Sequence, residues 1–150
     1  MDGFQIERNF YCKELGMLEI GKEEGTSYLF DLGIRWTDLS AKHQESCMFL
    51  TENIHKLPFY SNANVKTFQL QTLNTIVNDF YNSIKRDDYS TLAYKGGHFE
   101  RDLLRKLKIP SIKFGAVWLS KSYKAIRSIG LAGNLWSSSR GAFISTLSQG

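Results

Sequence analysis

With 150 residues, 42% of them hydrophobic, the chain has enough apolar material for one ordinary core and too little for two, so a single domain is expected. Charged residues make up 23% and the mean hydropathy is −0.30, which argues against a disordered chain, a collagen-like repeat or a coiled coil. The net charge of +4 conceals an asymmetry: from Leu103 to Gly150 there are eight Lys and Arg residues and no Asp or Glu, leaving the first 102 residues at −4.

The opening MDGFQIERNF is acidic and mixed rather than a basic region followed by an apolar run, and no window approaches the roughly 18 apolar residues of a spanning helix. Neither secretion nor a membrane is expected; an intracellular home, cytoplasmic or nuclear, is. Cys12 and Cys47 form no CxxC pair, which excludes a zinc ribbon and makes a disulfide framework a poor fit. Phe10 to Ile20 and Ser27 to Ile34, separated by the turn residues 21–25, predict a β-hairpin. Trp36 to Gln44 reads as a loop or short helix, and Cys47 to Ile54 as a third strand.

From Thr67 to Lys85, Leu73, Ile76, Val77, Phe80, Tyr81 and Ile84 mark one face of a helical repeat, with Phe68 and Leu70 at its start. Ser90 to Tyr94 reads as a strand ending in Gly96-Gly97. Phe99, Leu103, Leu104 and Leu107 then define a helix that Pro110 must end, since proline lacks the amide donor. Ile109 to Phe114 supplies a fifth strand. The expected order is β-β-β-α-β-α-β: an α/β domain over residues 1–115 with a mixed five-stranded sheet flanked by helices. Residues 116–150 read as a basic, Ser/Gly-rich extension, partly mobile, in which only Lys121 to Ile129 can make a short helix.

The segment richest in chemistry is Ala93-Tyr94-Lys95-Gly96-Gly97-His98-Phe99-Glu100-Arg101-Asp102, where a strand delivers a glycine pair to a helix start carrying His98, Glu100 and Asp102. Such a turn can gather carboxylates or present amides to an anion, although acids in a first helical turn also simply oppose the macrodipole. GxxxxGK[ST] and GxGxxG are both absent, so neither phosphate-loop chemistry applies. The acid-free C-terminal third makes Lys113, Lys121, Lys124 and Arg127, together with Lys95 and His98, the candidate contacts to RNA or single-stranded DNA. His43, Cys47 and His55 match no established metal or thiol pattern, and the aromatic residues Tyr11, Tyr28, Phe30, Trp36, Phe49, Phe59 and Tyr60 could stack bases if exposed on one sheet face but are mostly expected to pack in the core.

Residues 95–104, Lys-Gly-Gly-His-Phe-Glu-Arg-Asp-Leu-Leu, resemble the second motif of the DEDD 3′-5′ exonucleases, and the element order resembles their ribonuclease-H-like three-layer fold. Lys13-Glu14-Leu15-Gly16, Phe30-Asp31-Leu32-Gly33, the 93–98 phrase and Leu107-Lys108-Ile109-Pro110-Ser111 are similar to open reading frames of invertebrate mobile elements and viruses. The resemblance covers about residues 10–112 and implies a metal site in which Glu14 and Glu100 are ligands, with Asp102 or Asp31 as a further acid and magnesium or manganese as cofactor if the site is active. Two departures stand out. The first strand offers Glu14 where Asp-x-Glu is expected, and no acid follows Asp102, so the last motif is missing. The Asn-Leu-Glu and Cys-Pro pattern that the resemblance implies after Ile-Pro-Ser is also missing, which points to a shifted reading frame or alternative end. The expectation is therefore a degenerate exonuclease-like domain that binds nucleic acid or a nucleic-acid-processing partner without catalysis. The alternatives are an active metal-dependent exonuclease and an accessory protein that binds only protein.

Overall fold

The computed structural model describes residues 1–19, 22–95, 97–113 and 143–147. Among them the chain runs β1 (Asp2–Ile6), β2 (Asn9–Met17), β3 (Thr26–Asp31), α1 (Ala41–Phe49), β4 (Phe68–Gln69), α2 (Leu73–Ile84), β5 (Thr91–Tyr94), α3 (His98–Lys106), β6 (Ser111–Lys113) and β7 (Phe143–Leu147). It is a mixed α/β architecture. The strands follow the order β4-β3-β2-β7-β5-β6, with β1 also on β2. The β1–β2 and β2–β3 pairs are antiparallel and β5–β6 is parallel, while β7 runs parallel to β2 and antiparallel to β5.

The expected hairpin is β2–β3, with Glu14 opposite Leu29 and Met17 opposite Thr26. A further hairpin precedes it, where Ile6 pairs with Asn9 and Glu7 turns the chain at φ 57°. The register shifts between Asp2 and Gly3, and a Cβ on Gly3 would collide with the Tyr11 carbonyl oxygen, so only glycine fits this bulge.

The third expected strand, Cys47 to Ile54, is a correction: it is the end of α1 and a π-helical turn over Leu50–Ile54. Ser40 caps α1 by accepting from the His43 N–H, and Ala, Lys, Gln, Glu and Met in AKHQESCMF are good helix formers. Within the apolar run only Cys47 is buried, while Met48 and Phe49 are 50% and 57% exposed. A short apolar run carries no periodicity that separates strand from helix.

α2 presents the expected face, with Val77 and Tyr81 buried and Leu73, Ile76, Phe80 and Ile84 packed around them. α3 ends as Pro110 requires, in a Schellman closure: Ile109 N–H donates to the Leu104 carbonyl and Lys108 N–H to that of Arg105. Lys108 sits at the left-handed position of this closure, φ 56°, where glycine is usual. Leu104 and Ile109 complete it with a buried apolar pair.

Two apolar clusters hold these elements. The larger joins β2, β3 and β5 to α2 and α3 through Cys12, Leu15, Met17, Phe30, Val77, Tyr81, Leu92, Tyr94 and Leu104. The smaller joins β1 to α1 and the loop beyond it through Phe4, Ile6, Leu32, Cys47 and Phe59. Lys13 ties the second to β3. Only 1% exposed, its ammonium donates to the Phe30 and Phe59 carbonyls, both at 3.1 Å, and to Ser61 Oγ at 2.9 Å.

Candidate functional site

Glu14 and Glu100, the acids that the family resemblance selects, each act electrostatically on the thiol of Cys12 but make no contact with one another among the described hydrogen bonds and ion pairs. β2 carries Cys12 and Glu14, and Phe10 at its start stacks on Phe99 of α3 with ring centroids 4.0 Å apart, which docks the first turn of α3 against the strand. The two carboxylates have different partners. Glu14 Oε1 accepts from the Ser27 hydroxyl on β3 at 3.0 Å. Glu100 is 5% exposed and lies 3.6 Å from the Met1 ammonium, itself buried. An acid that sequence reasoning passed over joins them: the β1–β2 register sets Asp2 opposite Glu14, and Asp2 also raises the Cys12 thiol. Its only signal in the sequence was a position in a strand that had not been recognised.

The remaining candidate acids lie elsewhere. Asp102 is exposed and pairs with Arg101 at 3.1 Å, and Asp31 accepts from the Gly33 N–H in a local turn. Among the described residues no group of three or more His, Cys, Asp and Glu could hold a metal ion. That includes His43, Cys47 and His55. His43 Nδ1 is engaged with Ser40 Oγ, and His55 Nδ1 accepts from the Leu57 N–H, which puts the neutral ring's proton on Nε2. Burial holds His55 below the usual imidazole value, and among the described residues Nε2 has no hydrogen-bond partner of good geometry.

Burial pushes the Cys12 thiol up to about 12, ahead of the opposing effect of the Met1 ammonium, and raises Cys47 as well. Neither is a nucleophile at neutral pH, because the thiolate is the reactive form. Both thiols are expected to resist a soluble disulfide reagent at pH 8 in the native protein and to react stoichiometrically once it is unfolded in guanidinium. Fast labelling of Cys12 in the folded state would refute its placement in the core.

Basic side chains gather along α3 and at its C-terminal cap. Arg101, Arg105 and Lys108 line an open cleft of about 520 Å³ with Tyr94, Ile109, Pro110 and Ser111. Arg101 and Arg105 are one helical turn apart and share a face. Of the sequence-derived contacts, Lys95 follows β5, Lys113 ends β6 opposite Tyr94, and His98 opens α3 with its ring against Phe99; all three are exposed. Lys121, Lys124 and Arg127, and most of the 116–150 extension, lie outside the described residues. Sequence reasoning missed Arg101, Arg105 and Lys108 as one group. A spacing of four and then three residues on a helix and its cap was the available signal.

No helix among the described residues is long and apolar enough to cross a membrane. Comparison with known proteins finds no matching family model, curated protein or solved structure.

Proposed function

We propose that this chain is a degenerate exonuclease-like domain of ribonuclease-H-like ancestry that binds single-stranded nucleic acid through the basic surface of α3, β6 and the segment that follows, without cleaving it. The observation that carries the reading is the distribution of unneutralised cations. Arg105 and Lys108 have no carboxylate partner among the described residues, and no residue from Leu103 to Gly150 is acidic, so no side chain of that stretch can neutralise them. Cations that the fold leaves unpaired on one face attract phosphates and release their condensed counterions. The loss of catalysis rests on the ligand set: Glu14 is engaged by Ser27, Glu100 is buried beside an ammonium, and a pair of hard cations wants about six oxygens each.

A salt titration with a labelled single strand tests the reading. If Lys113, Lys121, Lys124 and Arg127 contact phosphates beside Arg105 and Lys108, log affinity falls with log salt at a slope of about −0.7 per contact, these four supplying about −3 of it, with little dependence on sequence. Replacing the four with Ser flattens the slope and leaves the melting transition in place. Absence of binding at physiological salt favours the accessory protein that binds only protein. In the same preparation, millimolar Mg²⁺ or Mn²⁺ is expected to leave the melting temperature unchanged. A rise of several degrees that disappears in Glu100→Gln would sink the non-catalytic reading.

A further inference from the structure

We infer that the cleft between α3 and β6 is a binding site for a phosphomonoester, the terminal phosphate of a strand or that of a free mononucleotide; the strand-end form rests on the nucleic-acid reading above. The first ground is charge. Three cations, Arg101, Arg105 and Lys108, line one concavity instead of following a track. Among the described residues the carboxylate that pairs with one of them is Asp102, whose contact with the adjacent Arg101 is exposed at both partners, 48% and 53%, and therefore weak. A phosphomonoester carries roughly −1.5 to −2 near pH 7, whereas a backbone diester carries a single charge, so a convergent set of cations favours the monoester.

The lining supplies the second ground. Tyr94, Ile109 and Pro110 add apolar surface to the charged lining of this open cleft of about 520 Å³. A nucleotide combines the same two characters, a flat apolar base and a charged end.

The third ground is the backbone of Lys108. The Schellman closure needs a left-handed residue, which glycine supplies without steric cost, yet the position holds a lysine at φ 56° whose side chain lines the cleft. The same left-handed conformation occurs at Glu7 and Lys56, and what distinguishes Lys108 is that its side chain lines the cleft. The carbonyls of Leu104 and Arg105 near this end of α3 are already engaged, accepting from Ile109 and Lys108.

The test compares, by fluorescence anisotropy on the full chain, one short labelled strand with a 5′-phosphate, with a 3′-phosphate and with hydroxyls at both ends. Adenosine and uridine monophosphate are assayed in parallel by thermal shift. A terminal phosphate is expected to tighten binding about tenfold, the equivalent of 1.4 kcal/mol. Lys108→Gly should remove that advantage while keeping or raising the melting temperature, because glycine suits the closure; Arg105→Gln should remove it too. If all three strands bind equally and neither mononucleotide raises the melting temperature, the inference is overturned and the nucleic-acid reading stands. If no strand binds but a mononucleotide stabilises the wild type and not Lys108→Gly, the site is real and the strand reading fails. If neither strand nor mononucleotide binds, both are overturned.

Discussion

Phe4→Ala is expected to destabilise the protein by about 3–5 kcal/mol, the usual range for deleting a buried phenyl ring. Phe4 is fully buried on β1, packs edge-on against His55 with centroids 4.9 Å apart, and is tilted against Phe59 at 5.5 Å. It is the largest side chain that β1 contributes to the smaller cluster, and the bulge at Gly3 beside it prevents the strand from sliding to compensate. The cavity would open beside the His55 ring. Urea unfolding at pH 7 measures the effect, with Tyr89→Ala as the control: Tyr89 is 81% exposed, and its removal should change stability by less than about 0.5 kcal/mol. A Phe4→Ala loss below 1 kcal/mol would mean that β1 does not pack where it is placed.

Lys13→Met should cost about 2–4 kcal/mol, although it replaces a charge with an apolar side chain of similar length in a buried site. Burial pulls the Lys13 ammonium below the usual lysine value, with the Asp31 carboxylate opposing the shift, so the charge itself is a burden to the fold. Relieving that burden gains several kcal/mol at most. Against it stand three hydrogen bonds from a charged donor, about 1.5–3 kcal/mol each, and acceptors on Phe30, Phe59 and Ser61 that methionine leaves without a donor. Combining Lys13→Met with Phe4→Ala should cost less than the sum of the two, because both act on the segment around Phe59. Full additivity, or a neutral Lys13→Met, would show that the ammonium does not anchor this segment.

Lys13 also marks a limit of reading the sequence. In Cys12-Lys13-Glu14 the lysine looks like an outward residue of a half-exposed strand, and nothing local reveals that the Phe59–Ser61 loop, 46 or more residues away, supplies its acceptors. The candidate metal site failed to read for a related reason. Glu14 and Glu100 were visible by type and by motif, but not that Asp2 would face Glu14 across a hairpin, nor that Glu100 would be buried beside an ammonium. The basic cleft lies between. Its cations were legible as an excess of charge, whereas their convergence depended on a helix end, its left-handed cap and an adjacent strand being folded together.

The sequence by itself determined the elements whose residues interact within a few turns of chain. These are α2, with its apolar side chains at helical spacing; the stop of α3 before Pro110; and the β2–β3 hairpin around a glycine turn. Local signals suffice there because the periodicity of a buried face, a missing amide donor and a turn are properties of neighbouring residues. Only the tertiary structure decided that residues 47–54 are helical, that β1 completes a second hairpin, and that β7 lies between β2 and β5. In each case the local preference was weak or divided, and hydrogen-bond partners and apolar surface from distant parts of the chain settled it.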